Sequence, residues 1–225
     1  MQNLTALMPM KGHSERVPGK NIRDFAGKPL CMHVVDMLLE CPLVAEVLIN
    51  TDSDKIAALV QSRSRVRVIE RPKELCGDFV PMNAIINHDL QFVKTDHVLQ
   101  THATNPLLTA PTLEKAIREY LSRLGEYDSL FSVTPWQTRF YWPDGRPVNH
   151  NPAELLRTQD LPPLFEENSC FYLFSPESFH ANNDTRIGKK PLLYPVSRLE
   201  AIDIDEEDDF LMAQALAMSK KAQRG

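Results

Sequence analysis

The apolar positions of this chain change period several times, and each change predicts an element. Residues 4–10 form a short continuous apolar run, the pattern of a strand buried on both faces. Leu30, Val34, Leu38 and Leu39 then recur at helical spacing and predict a helix over 28–41, which Pro42 ends. Val47, Leu48 and Ile49 sit in a second buried strand, 44–51. Thr51 to Asp54 offer an N-cap to a helix with Ile56, Leu59 and Val60 inward. A strand over 66–69, a helix over 83–93 and a strand over 98–101 follow. The helix predicted over 109–124 carries the stripe Leu113, Ala116, Ile117, Tyr120, Leu121 and Leu124, and a strand over 130–133 comes next. Strands alternating with helices on this scale predict a doubly wound, three-layer α/β/α fold around a mainly parallel sheet.

The rhythm breaks over 135–167. That segment holds Pro135, Pro143, Pro147, Pro152, Pro162 and Pro163, the aromatics Trp136, Phe140, Tyr141 and Trp142, and no helical period. So long an irregular stretch in a compact domain implies a function of its own. The core pattern resumes over 171–174, 192–196 and 199–204, and a closing helix is expected over 205–221. The expectation is a single domain, 1–225, with 135–167 as a protruding excursion.

Composition narrows the function classes. The 225 residues suffice for one sizeable core, and 43% hydrophobic with 24% charged residues is the balance of a soluble globular protein. A formal net charge of −5 argues against a nucleic-acid partner. No apolar run approaches the roughly 20 residues of a membrane span, and no signal-peptide pattern opens the chain. Cys31, Cys41, Cys76 and Cys170 form no C-x-x-C pair and read as free thiols of a reducing compartment, so a cytoplasmic protein without a membrane partner is expected.

The chemistry concentrates after the first strand, where a loop carries Lys11, Arg16 and Lys20. Gly12 and Gly19 permit positive φ and Pro18 stiffens the loop, so backbone N–H groups ringed by cations would suit a polyphosphate, although no Walker or G-x-G-x-x-G spacing is present. Arg71 follows another strand; with Lys11 and Lys20 it falls beyond the carboxyl ends of the strands, where doubly wound sheets present ligands. Asp203 and Asp205 alternate on the predicted strand, so both face one way while Ile202 and Ile204 face the core. Two adjacent carboxylates repel, and a hard divalent cation such as Mg²⁺ relieves that. The alternative is an acidic helix start, which accounts for Glu206, Glu207 and Asp208. Gln100 and Asn105 flank a strand end, where an amide can read a base or a sugar edge. His13 and His102 lack partners at zinc-ligand spacing.

The stretch 7–21, L-M-P-M-K-G-H-S-E-R-V-P-G-K-N, resembles the N-terminal signature of the acylneuraminate cytidylyltransferases. Ser14, Pro18, Lys20, Asn21 and the segment Gly27-Lys28-Pro29-Leu30 match it. Thr51-Asp52, the segments 71–75, 99–107 and 202–205, and more loosely 157–162 with Asn168-Ser169, resemble the family in the same order. Lys11, Glu15, Pro81, Met82, Leu108 and Thr158 depart from its pattern.

The resemblance implies a Mg²⁺-dependent enzyme in which the anomeric hydroxyl of a nonulosonic 2-keto acid sugar attacks the α-phosphorus of CTP and pyrophosphate leaves. It implies that Lys11, Ser14, Lys20, Asn21, Arg71, Asp78 and Gln100 contact the nucleotide. Lys11, Lys20 and Asp205 would serve catalysis, with Asp205 or a metal-bound hydroxide as the candidate general base, and Asp203 and Asp205 would hold the metal. Gln100, Asn105, Arg139, Arg157, Gln159 and Asn168 would serve the sugar, although Arg157 could instead pair locally with Asp160. The excursion would cross to a second subunit and make a homodimer. Activation of 3-deoxy-manno-octulosonate, or a degenerate non-catalytic sugar-nucleotide-binding protein, are the alternative readings.

Overall fold

The structure, a computed structural model, describes residues 3–222. The first strand, β1 (Leu4–Leu7), lies at the heart of the sheet between β4 (Val44–Thr51) and β6 (Val98–Thr101), parallel to both. Beyond β4 lies β5 (Val66–Glu70), and beyond β6 lie β8 (Leu164–Phe174), β7 (Ser129–Trp136) and β9 (Pro191–Pro195), giving the order β5-β4-β1-β6-β8-β7-β9. A small separate ribbon pairs β2 (Asp24–Phe25) with β3 (Lys28–Pro29).

Alternate residues of the central strands feed opposite cores, as a strand's period of two requires. Leu4, Ala6 and Leu99 face a cluster that also takes Cys31, Val34 and Leu38 of α1 (Leu30–Glu40) and Leu113, Ala116, Ile117 and Tyr120 of α4 (Ala110–Ser122). Ile56 and Val60 of α2 (Asp54–Val60) join this side, and Ser53 caps that helix by accepting from Ile56 N–H at 3.4 Å. Leu7, Leu48 and Val98 face the other cluster, covered by Ile86 and Leu90 of α3 (Met82–Leu90) and Phe179 of α5 (Pro176–Ala181). A third cluster joins Val17, Phe25 and Leu30 to Ile204 and to Phe210 and Ala213 of α6 (Glu207–Ala222). It backs the loop that follows β1.

The predicted three-layer, mainly parallel architecture is present, with one reversal. Strand β8 runs antiparallel to both β6 and β7, whereas β9 runs parallel to β7. The strands joined through α1, α2, α3 and α4 are parallel because a crossover returns the chain to its starting edge, while the segment between β7 and β8 returns directly, as in a long hairpin.

Several boundaries differ from the sequence reading. Pro135 and Trp136 belong to β7 and residues 164–167 to β8, so the irregular excursion spans 137–163. Within it lie one isolated bridge, Tyr141 to Pro147, and a 3-10 turn, Thr158–Asp160. Residues 199–204 are not a strand: 198–200 form a turn, and 201–205 run irregularly, tied by Ile204 N–H to Thr104 carbonyl at 2.9 Å. Pro29 precedes α1 rather than lying in its first turn, and the six-residue α5 was not anticipated. Among the described residues no helix is long and apolar enough to cross a membrane.

Candidate active site

The carboxyl ends of β1, β5 and β6 open onto a cleft of about 590 Å³. Lys11, Ser14, Lys20, Asn21, Arg71, Asp78, Asp203 and Asp205, all singled out by sequence, line it, together with Arg16, His102, Thr104, Ser169 and Arg186. The loop after β1 forms one wall. Its Gly12 N–H donates to Asp52 Oδ1 at 2.6 Å, and a Cβ at Gly12 would lie 2.8 Å from Ser53 Cβ. Close approach to the start of α2, rather than the expected positive φ, therefore requires glycine there. Gly19 does take positive φ, 65°, where it opens the 3-10 turn Lys20–Ile22. Asn21 Nδ2 donates to Lys11 carbonyl at 3.0 Å and closes the loop on itself, leaving its buried Oδ1 without a partner among the described residues.

Facing this loop, the segment before α6 presents both aspartates to the cleft. Ile204 is fully buried in the third cluster, so alternation in extended backbone aims Asp203 and Asp205 outward without a strand. Arg16 Nη2 lies 2.7 Å from Asp205 Oδ1, and Lys20 Nζ lies 3.7 Å from the same oxygen. Lys20 also donates to Ile204 carbonyl. Burial pushes the Lys20 ammonium below its usual range, against the pull of both aspartates. Burial likewise holds the Asp203 carboxyl above its usual range, with Thr104 opposing and Asp205 reinforcing. Asp203 Oδ1 is buried and has no partner among the described residues. Asp209 Oδ2 accepts from the N–H groups of Asp205 at 3.1 Å and Glu206 at 2.8 Å, so Asp209 caps α6 while Asp203 does not.

Arg71, 7% exposed, is held from behind. Its Nε donates to Asn50 Oδ1 at 2.7 Å and its Nη2 to Asn50 carbonyl at 3.1 Å. Asn50 Nδ2 in turn donates to Asp89 Oδ1 at 2.5 Å. This buried chain of contacts fixes the guanidinium at the cleft wall. Across the mouth, Lys11 pairs with Asp78, whose carboxyl the ammonium holds below its usual range. That contact links the first loop to residues 77–80, where Phe79 is fully exposed.

The residues assigned to the sugar lie elsewhere. Gln100 is fully buried behind the cleft, donating to Thr101 carbonyl at 3.0 Å. Asn105 is buried against Ile202 carbonyl, 3.4 Å away. Asn168 Nδ2 donates to Thr134 Oγ1 at 3.1 Å, and its Oδ1 accepts from Cys170 N–H at 3.2 Å, so it organises the bend in β8. Arg139 donates to Leu156 carbonyl within the excursion. Arg157 makes a two-pronged contact with Asp160, at 2.7 and 3.0 Å, and Gln159 carbonyl accepts from Gln137. None of these six lines the cleft of its own chain. His102 and Arg186 do, but one matched no metal spacing and the other sits in a segment without period or motif. Arg16 was visible only as one cation of the loop.

Comparison with known proteins fits this geometry. A family model described as "Cytidylyltransferase" matches residues 5–211. The pseudaminic acid cytidylyltransferase of Campylobacter jejuni is 26% identical over 96% of this chain and 96% of its own length. The N-acylneuraminate cytidylyltransferase A of Danio rerio is 28% identical over 95% of this chain and 50% of its own. A solved CMP:2-keto-3-deoxy-manno-octonic acid synthetase, complexed with CTP, superposes with a TM-score of 0.70 at 14% identity, covering 97% of this chain and 100% of that one. On the span of the family match, the chain belongs to the cytidylyltransferase family as an acylneuraminate cytidylyltransferase-like member.

Proposed function

We propose that this protein joins CTP to a nonulosonic, sialic-type 2-keto acid sugar, giving a CMP-sugar and pyrophosphate. The observation that carries the reading is the cleft at the carboxyl ends of the parallel strands, with Lys11, Arg16, Lys20 and Arg71 along one side and Asp203 with Asp205 opposite. Such a site positions and neutralises a triphosphate rather than attacking it covalently.

In this reading Lys11, Lys20 and Arg71 hold the triphosphate, with Ser14 and Asn21 supplying neutral contacts from the same loop. The ammonium of Lys11 exchanges Asp78 for phosphate oxygens. The chemistry of the carboxylate pair fits Mg²⁺: Asp203 Oδ1 is a buried oxygen without a partner, and it sits beside a second carboxylate. Bound there by Asp203 and Asp205, the ion would neutralise phosphate charge. Arg16 and Lys20 meet only Oδ1 of Asp205, which leaves Oδ2 to take the proton of the attacking hydroxyl. The exposed Tyr141, Trp142, Leu155 and Leu156 of the excursion support a homodimer, in which Arg139, Arg157 and Gln159 would serve a second copy's site. The free cysteines support a cytoplasmic location.

Pyrophosphate release from each of the four nucleoside triphosphates, with Mg²⁺ and a panel of 2-keto acid sugars, tests the reaction. CTP with a nonulosonic acid should be turned over in preference. Release with 3-deoxy-manno-octulosonate alone, or none with any pair, would overturn the reading.

A further inference from the structure

Three guanidiniums line the cleft, and two have no carboxylate at hydrogen-bond distance among the described residues. Arg16 is neutralised by Asp205 and Glu206. Arg71 makes no ion pair among the described residues, and Arg186 makes one, with Glu167, only at 3.8 Å. The proposed reaction brings two anions, a triphosphate and a sugar carboxylate. Arg71 stands with the lysines of the triphosphate wall. Arg186 stands apart, in the segment between α5 and β9.

Arg186 is built to stay in one place. Its side chain is 18% exposed. Its guanidinium lies 3.6 Å from the centroid of the Tyr172 ring, on the sheet face where Tyr172 of β8 pairs with Gln100 of β6. Nη1 donates to Gln100 Oε1 at 2.6 Å, and Gln100 is itself oriented by donating to Thr101 carbonyl. The nearest carboxylate, Glu167, lies 3.8 Å from Nη2, and its Oε1 already accepts from Tyr172 hydroxyl. A guanidinium has five donors in a rigid fork, and this one spends few of them on the protein. Burying such a charge costs free energy that an incoming anion can offset.

Position supplies the second argument. Arg186 lines the main cleft and also a second cavity of about 420 Å³ formed with Met82, Asn83, Glu167, Thr185 and Ile187. The mixed apolar and hydrogen-bonding lining of that cavity suits the ring and substituents of a sugar acid. We propose that Arg186 binds the carboxylate of the sugar acid in a two-pronged contact at the junction of the two cavities, making it the substrate-selecting cation of this chain. The inference rests on the reaction proposed above. It places the acid clamp within the chain's own site, whereas the excursion's Arg157 pairs with Asp160 away from the cleft.

The test is steady-state kinetics of wild type, Arg186→Gln and Arg186→Lys, varying each substrate at saturation of the other. Arg186→Gln should raise KM for the sugar acid about 10- to 100-fold, the span of a lost charge-assisted contact, and leave KM for CTP within about threefold. Wild type should prefer the free acid to its methyl ester by a similar factor, and the variant should lose that preference, which a merely structural role would not produce. A CTP-dependent thermal shift reports whether each variant is folded. If Arg186→Gln does not fold, Arg186→Lys decides: its point charge lacks the fork, so a sugar-only KM rise of about fivefold or more supports the clamp and an unchanged one overturns it. A parallel rise for CTP, or a retained acid-over-ester preference, also overturns it. Wild type that turns over no sugar acid defeats the proposed reaction and the clamp with it. Turnover with an unaltered sugar KM in the variants defeats the clamp alone.

Discussion

The contact chain from Asp89 through Asn50 to Arg71 allows a worked prediction. Asn50→Leu keeps the side-chain volume and removes two contacts to charged groups, the 2.5 Å donation to Asp89 and the 2.7 Å acceptance from Arg71. Each is worth about 1.5–3 kcal/mol. Leucine's apolar burial returns about 1–2 kcal/mol, so the net loss of stability at pH 7 should be about 2–4 kcal/mol. The loss should also depend on pH. Asp89 is fully buried, and burial already raises its carboxyl above the unfolded value while Asn50 and His88 pull it down. A carboxyl raised on folding binds its proton more readily in the native state, so its contribution to stability declines as pH rises from the unfolded value through the folded one. Removing the Asn50 donor raises it further. The variant's deficit should therefore grow with pH and shrink in acid. Equilibrium urea unfolding at pH 4.5 and pH 7 reads both quantities. KM for CTP should rise about tenfold as Arg71 loses its support. A deficit under about 1 kcal/mol at pH 7, or one equal at both pH values, would refute the argument that this chain of contacts is what holds Arg71.

Asp203→Asn and Asp205→Asn should each lower kcat at least about a hundredfold with the fold intact by circular dichroism, and chelation of divalent cations should stop wild-type turnover until Mg²⁺ is restored; near-wild-type rates in both variants would leave the pair as a helix approach only. His102 is a stability sensor: burial, then Arg186 and Lys20, pushes its imidazole down to about 4. The unfolded state thus binds the extra proton between pH 6.5 and 4, and wild type should lose at most about 3 kcal/mol across that window. His102→Gln should flatten this part of the urea-unfolding profile, and an unchanged profile would count against it. Leu155→Glu with Trp142→Glu should shift the mass measured by light scattering from dimer to monomer; a wild type that is monomeric and fully active would contradict a shared site.

The fold was legible because its signal is local. Leu4, Ala6, Val47, Leu48 and Ile49 are buried on one face or the other of the sheet, so their strands read as apolar runs, and α4 buries Leu113, Ala116, Ile117 and Tyr120 of its predicted stripe, while Leu124 falls beyond the helix end and is exposed. What could not be read was set by tertiary placement. Nothing in 164–170 announces that β8 inserts between β6 and β7 in the opposite direction, because L-F-E-E-N-S-C lacks a buried strand's composition. Its first half pairs only with β7 and stands largely exposed. The reverse error occurred at 199–204, where Ile202 and Ile204 mimic strand alternation but serve the third core cluster. The direction of the two aspartates nevertheless came out as expected, since extended backbone alternates whether or not a neighbour strand pairs with it.

The site was legible in proportion to how far each residue's role depends on its neighbours in sequence. Lys11, Ser14, Lys20 and Asn21 share one loop, and that loop's geometry follows from Gly19 and from the contact of Gly12 with Asp52 and Ser53. Asp203 and Asp205 share one extended stretch of chain. Arg186 has no such context: its importance comes from Tyr172, Gln100 and Glu167, which lie 14, 86 and 19 positions away and are brought together by the pairing of β6 with β8. The excursion arginines show the opposite failure. Their motif is recognisable, yet Arg157 closes on Asp160 three residues away, a pairing that needs no substrate. An exposed pair of this kind is worth little and would exchange readily for a stronger anion, so a second copy could still recruit Arg157. Arg186, largely buried and stacked on Tyr172, has its nearest carboxylate, Glu167, at 3.8 Å. Between two cations that could meet a sugar carboxylate, the one already oriented and already desolvated carries the smaller reorganisation cost, and selection among acids should follow it.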